Sequence, residues 1–278
     1  MLGGALFGVA SAAAFGVGDF SGALATRRSA TLPVVAGAQL VGLVVLLAVA
    51  LVLRPTPPDP AAAAVAVAAG LSGLVGLGAL YRGMSLGSMG LVTSISGSGA
   101  LTVPLLVSAV TGAAMAPLQV VGVLFAAAAA AAAGGASRGE IGRQALGLAL
   151  LAALGFGGWY VLLDLAAASG DPLWALVISR GAASFVAGVA TVARGSGRPP
   201  ATLVVLAGIG DVGGNAFYVL AGASLPVGLA AALSGMYPVF TVLLARVILG
   251  ERLPRLAQLA VLLALIGIVL ISAGGELQ

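Results

Sequence analysis

Runs of about twenty apolar residues follow one another from one end of this chain to the other, which leaves few options for its fold. A helix crossing the hydrocarbon core of a bilayer needs about 20 such residues. In lipid the backbone must satisfy its own polar groups, which helices do within one segment. Ten spans fit, at residues 2–25, 32–53, 60–81, 88–110, 116–135, 144–168, 172–193, 201–221, 226–248 and 255–273. Most separators are chemically plain: Arg27-Arg28, the Pro cluster from Arg54 to Pro60, and the polar stretches 134–143, 193–200 and 250–255. At 81–90 and 111–117 only small residues mark the turn. With 61% hydrophobic and 7% charged residues, the chain departs far from soluble domains, which carry about 25% charged residues. The expected fold is an all-α integral membrane domain of ten transmembrane helices.

What is missing excludes whole classes of chemistry. The 12 basic residues are all Arg, and the chain has no Lys, His or Cys. Disulfides and thiol chemistry are therefore out, and an ordinary zinc site lacks its usual ligands. Without a P-loop lysine there is no nucleotide hydrolysis of that type. The serine in Gly97-Ser98-Gly99 has no His or Lys to act as its base. The intramembrane carboxylates stand singly on three helices rather than clustered. We expect no enzyme, no cofactor and no metal. A net charge of +4 spread over short loops forms no patch for nucleic acid. The expected partners are a small-molecule substrate and the surrounding lipid, with the chain acting as a monomer.

The arginines set the orientation. The face holding the loops after spans 1, 3, 5, 7 and 9 carries Arg27, Arg28, Arg82, Arg138, Arg143, Arg194, Arg198, Arg246, Arg252 and Arg255; the other carries only Arg54. Basic loops stay in the cytoplasm, so both termini are expected outside it, in the plasma (inner) membrane of a prokaryote. The first span lacks a basic leader and its positive charge follows it, unlike a cleaved signal peptide.

The sequence also repeats itself. At an offset of 138, Gly90, Leu91, Ser96, Gly97, Leu105, Leu106 and Gly112 fall on Gly228, Leu229, Ser234, Gly235, Leu243, Leu244 and Gly250. Upstream the offset is 139: Gly16, Gly18, Pro33, Gly83 and Ser85 fall on Gly155, Gly157, Pro172, Gly222 and Ser224. Residues 1–137 and 138–278 thus read as two five-helix repeats, and an odd span number inverts the second relative to the first. Internal repeats of this kind mark transporters.

The stretch SGMYPVFTVLLARVILGERLPRLAQLAVLLALIGIVLI (Ser234 to Ile271) resembles the EamA group of the drug/metabolite transporter superfamily: a Pro-containing helix, a Gly-Glu-Arg hinge and a last helix with a Gly-x-hydrophobic run. The resemblance implies ten helices in two inverted repeats, a central cavity and export of small metabolites by alternating access. The first half departs from it, with Gly112-Ala113-Ala114 where the motif has Gly-Glu-Arg.

Four ionisable side chains lie within spans: Asp19, Asp164, Arg180 and Asp211. Such groups are costly in lipid and face a cavity or one another. At 1.5 Å per residue, Asp211 and Arg180 reach similar depths, so a pair is geometrically allowed. Asp164 sits about a turn from its span end, either in the site or at the interface. Asp211, Asn215 and Tyr218 recur at i, i+4, i+7, as a cavity-lining stripe or an interhelical network; the cost of a midplane carboxylate favours the cavity. Phe156, Tyr160 and Asp164 share a face of span 6 beside Trp159, whose aromatics suit a ring or a cation or an interfacial anchor. Span 4 offers Ser94, Ser96, Ser98 and Thr102 with Gly97, Gly99 and Pro104; span 9 offers Ser234, Tyr237 and Pro238. Both helices are expected to be interrupted there, as kinks or as a central site. Gln39 is a further polar candidate. The expected substrate-binding set is Asp211, Asn215, Tyr218, Arg180, Tyr160, Trp159, Ser96, Ser98, Tyr237 and Gln39, with Asp211 and Asp19 coupling to protons. The function expected is a secondary transporter, an exporter of a small polar or amphipathic metabolite, with cationic or zwitterionic cargo favoured. A flippase for a lipid-linked intermediate is the alternative.

Overall fold

The computed structural model describes residues 2–112, 115–136, 139–168, 171–225 and 227–274. Among them are ten membrane-length spans and no strands. Spans 1 to 8 are single helices: Leu2–Arg28, Thr31–Leu53, Pro60–Leu86, Met89–Val110, Pro117–Ala136, Gly139–Ala168, Pro172–Ala193 and Ala201–Gly222. Span 9 is two helices, Val227–Gly235 and Tyr237–Leu249, and span 10 is Arg255–Gly274. The ends are written in the sequence. Asp59 and Asp171 sit just before Pro60 and Pro172, and their carboxylates accept from the N–H groups of Ala62 and Leu173, both at 2.8 Å. A proline at the first helical position loses nothing, because its missing donor would be unpaired anyway. Gly250 closes span 9 at φ +66°, a left-handed conformation open to glycine without a Cβ clash.

One expectation fails. Span 4 is a continuous helix from Met89 to Val110 with Pro104 inside it; only span 9 is broken, at Met236. In span 4 some of the hydroxyls bond back to their own helix. Ser94 Oγ donates to the Gly90 carbonyl (2.8 Å) and Thr102 Oγ1 to the Ser98 carbonyl (3.0 Å). A lone proline leaves one carbonyl without its helical partner but does not separate the turns.

Small residues carry the packing, since in lipid tight backbone approach replaces the hydrophobic drive. A Cβ on Gly210 would stand 2.6 Å from the Cα of Gly18, and one on Gly155 would stand 2.6 Å from the Cα of Gly76. Spans 1 and 8, and spans 6 and 3, therefore cross with backbones in contact. These are the same pair under a shift of five spans. The other large contacts obey that exchange: span 4 lies on span 6 as span 9 lies on span 1, and span 3 on span 7 as span 8 on span 2. Spans 2 and 7, 5 and 10, and 4 and 9 each pack on their own counterparts. The alanine run of span 5 is an interface, with Ala126, Ala129 and Ala133 buried on the side that meets span 10.

The exchange is incomplete: span 10 packs on span 4, whereas spans 5 and 9 have no comparable packing among the described residues. Span 1 packs on span 3 near the arginine-rich face, whereas spans 6 and 8 have no comparable packing among the described residues. Burial follows the same asymmetry. In span 4 every residue from Met89 to Ser98 is buried, Leu101 to Leu105 are half-buried, and Leu106 and Val107 are exposed. Span 4 is thus most deeply buried toward the arginine-rich face and less so toward the other.

Candidate functional site

Arg180, one-third of the way along span 7, pairs with Asp211 in the middle of span 8 through Nη2 and Oδ2. Its Nη1 donates to Oε1 of Gln39 on span 2. Three helices are thereby tied at mid-depth, with the guanidinium fork doing what a point charge cannot. The arginine side chain is 11% exposed and the aspartate 31%, so the pair is buried on the cation side and open on the carboxylate side. Gln39, 5% exposed, is no peripheral polar residue but the third member of the pair.

Asp19 lies on the other side of the span 1–span 8 crossing. Its neighbour Gly18 is pressed against the backbone of span 8, and a Cβ there would sit 3.1 Å from the Asp211 nitrogen. Asp19 and Asp211 are close enough to feel each other's charge. Among the described residues Asp19 has no hydrogen bond or ion pair, while Arg180 is taken by Asp211 and Gln39. Two carboxylates therefore stand near a single guanidinium, which pairs with only one of them. Around them stand three tyrosines within electrostatic reach, Tyr81 on span 3, Tyr160 on span 6 and Tyr237 on span 9, with Tyr218 on span 8 near Tyr160.

Other candidates fall into two groups. Tyr160 is 44% exposed and meets Trp159 edge-on with centroids 5.1 Å apart. Tyr237 places its hydroxyl over Gly97, where no side chain could fit, and its ring edge-on to Phe15 at 6.2 Å. Tyr218 is half-buried, and the Asn215 amide donates to its own helix at the Asp211 carbonyl (2.8 Å). Trp159 instead serves packing: its ring lies on Gly73 and Nε1 donates to Ser179 Oγ at 3.5 Å.

Ser96 and Ser98 do not line a cavity. They are buried at 0% and 1% exposure; Ser96 Oγ donates to the Ala149 carbonyl of span 6 (3.3 Å) and Ser98 Oγ to the Ile95 carbonyl (3.4 Å). A small hydroxyl in a Gly-rich helix is more cheaply satisfied by a neighbouring backbone than by a solute. Phe156 packs on Gly76 rather than continuing the face of Tyr160, and Asp164 is exposed near the end of span 6. Tyr81 was not among the sequence candidates. Its ring fills the space above Gly22 and is 1% exposed. It stands where the third apolar run gives way to small residues, so its place on a helix face could not be read.

A half-open ion pair between inverted-looking helices is the geometry to set beside known proteins. Residues 143–273 match the model of the EamA-like transporter family. The second half of the chain is EamA-like. That family is described as one of transporters. The EamA-like half begins at span 6 and ends with span 10, so it holds Arg180, Asp211 and Tyr237, while Gln39 and Asp19 come from the preceding half. A solved structure described as "Crystal structure of protein" matches 96% of this chain and 94% of its own at 18% identity, with a TM-score of 0.64; at that identity the likeness is one of fold, and it spans both halves. No curated protein matches the chain.

Proposed function

We propose that this protein is a secondary transporter that exports a small polar or amphipathic metabolite, cationic or zwitterionic, in exchange for protons. The observation that carries the reading is the charge count at mid-depth: Asp19 and Asp211 against Arg180 alone, with Asp211 partly open. An uncompensated carboxylate at the centre of a bilayer costs at least ~2.5–3.5 kcal/mol even on the lenient insertion scale. A proton or a cationic cargo removes that cost, and the two compete for the same negative charge. The tyrosines add faces and hydroxyls that suit an organic cation.

Alternating access follows from the packing. We read the halves as inverted repeats, because the large helix contacts are exchanged by a shift of five spans. With the arginine-rich face in the cytoplasm, the deeper burial of span 4 at that face supports reading the state as closed inward. The opposite state is reached when spans 6 and 8 close as spans 1 and 3 now do.

The test is uptake into sealed vesicles holding only this protein, with a pH gradient and a panel of organic cations, zwitterions and anions. Proton-driven movement of a cation or zwitterion is expected, abolished in Asp211→Asn although that variant still folds and inserts. Full, pH-insensitive transport by Asp211→Asn would reduce Asp211 to packing. Movement of lipid-linked cargo alone would replace the reading with a flippase.

A further inference from the structure

The Gly-Glu-Arg hinge between spans 9 and 10 has no part in the mid-depth site, yet its glutamate is engaged. Glu251 Oε1 accepts from Ser88 Oγ, and Oε2 accepts from the Met89 N–H at 3.2 Å. Ser88 is also the cap of span 4, its Oγ accepting from the Leu91 N–H at 3.3 Å. One carboxylate of the second half thus holds the first turn of a central helix of the first half. Beside it, Arg27 at the end of span 1 donates to the Met84 and Gly87 carbonyls at the end of span 3, at 3.3 and 3.5 Å. Tyr81 packs over Gly22 one turn deeper. All these contacts lie at the closed, arginine-rich face.

The repeat makes the comparison with the open face specific. Shifted by 138, Glu251 falls on Ala113; shifted by 139, Arg27 falls on Ala166, Gly22 on Val161 and Tyr81 on Leu220. Ser88 falls on Pro226 or Val227, on either side of the register break. None of these residues has a hydroxyl, a carboxylate or a guanidinium to offer. Tyr81 is 1% exposed while its counterpart Leu220 is 45% exposed.

We infer that Glu251 is a one-sided latch: its bonds to Ser88 and Met89 hold the arginine-rich face closed, and the other face has no equivalent among the described residues, so the protein rests in the described state. A hydrogen bond to a charged group is stronger than a neutral one, and both must break before span 4 can part from the hinge. The latch sets how the two states are populated. It rests on the alternating-access reading, and it acts without contact to cargo.

The chain contains no cysteine, so single reporters can be placed in it directly. Ser94 lies with Gly90 and Gly97 on the face of span 4 turned to Val242 and Tyr237 of span 9 and is 0% exposed. Ser94→Cys reports opening at the arginine-rich face and Tyr218→Cys, on the Asp211 face of span 8, reports closing at the other, each read as the rate of reaction with a membrane-impermeant maleimide applied from that side. Glu251→Ala is expected to raise Ser94→Cys labelling about tenfold and to slow Tyr218→Cys labelling. Glu251→Gln, which keeps one acceptor, gives a smaller rise and serves if the alanine variant does not insert. Unchanged Ser94→Cys labelling in these variants overturns the latch. So does a rise without the matching fall at Tyr218→Cys, since that is local loosening rather than a change of state. A wild-type protein that moves no cargo would sink the transport reading separately, because the labelling needs no substrate.

Discussion

Removing Arg180 should do more damage than removing its partner, and the structure says by how much. Arg180→Ala leaves Asp211 beside Asp19 with no cation, and strips the Gln39 carbonyl oxygen of its donor. Breaking a buried pair by deleting one member costs about 3–5 kcal/mol. Because the Asp211 side chain is 31% exposed, water recovers part of that, and about 2 kcal/mol is the discounted figure. The orphaned, buried Gln39 adds about 1 kcal/mol, for a total near 3 kcal/mol. Asp211→Asn is milder, about 1 kcal/mol, because its amide oxygen still accepts from the guanidinium and Arg180 remains near Asp19. The informative variant is the double one. If the cost of Arg180→Ala is a stranded charge, Asp211→Asn should relieve it, and the double variant should fall about 1–2 kcal/mol short of the sum of the singles. Unfolding by denaturant in mixed micelles, run on all four proteins, measures this coupling. Strict additivity would mean that the pair contributes nothing beyond its separate packing, and the charge argument for the site would fail with it.

Other outcomes can be checked more quickly. Gly210→Ala places a Cβ 2.6 Å from the Cα of Gly18 and should cost about 1–3 kcal/mol by overpacking, read as a lower melting temperature. Gly78→Ala, where a Cβ would meet nothing within 4 Å, should be neutral or slightly stabilising, since alanine is the better helix former; destabilisation there would contradict the packing described. Gln39→Leu should weaken the fold by about 1–2 kcal/mol, by unbonding a charged donor, while changing transport less than Asp211→Asn. For topology, a single cysteine at Thr56 should react in intact cells with an impermeant reagent and one at Ser196 only after the cells are opened; the reverse result would invert the assigned orientation.

The spans were legible because the ruler is physical: hydrocarbon thickness fixes their length, and arginines and prolines end them. The Arg180–Asp211 pair was legible as a matter of depth, since two charges in lipid at one level have few alternatives. Gln39 as the arginine's second partner was not, because an amide in an apolar helix carries no sign of which neighbour it meets. Ser96 and Ser98 were misread for a related reason. A serine pattern marks polar capacity, and only the helix packing tells whether a backbone or a cavity uses it. The break in span 9 and its absence in span 4 were equally hidden, as Gly and Pro occur in both.

That difference between spans 4 and 9 also fixes where these two central helices can bend. The Met236 break lies about 14 Å from the start of span 9, at 1.5 Å per residue, and Pro104 about 9 Å from the end of span 4. Both points lie nearer the arginine-poor face, because the two helices run in opposite directions through the bundle. The remaining lengths, Met89 to about Ala100 and Tyr237 to Leu249, carry no internal joint beyond Pro238 in the first turn. Each helix is therefore a stiff rod at one end and a jointed arm at the other. Motion at the open face is flexure of arms, local and graded, while motion at the closed face is the swing of whole rods, which moves everything attached to them at once.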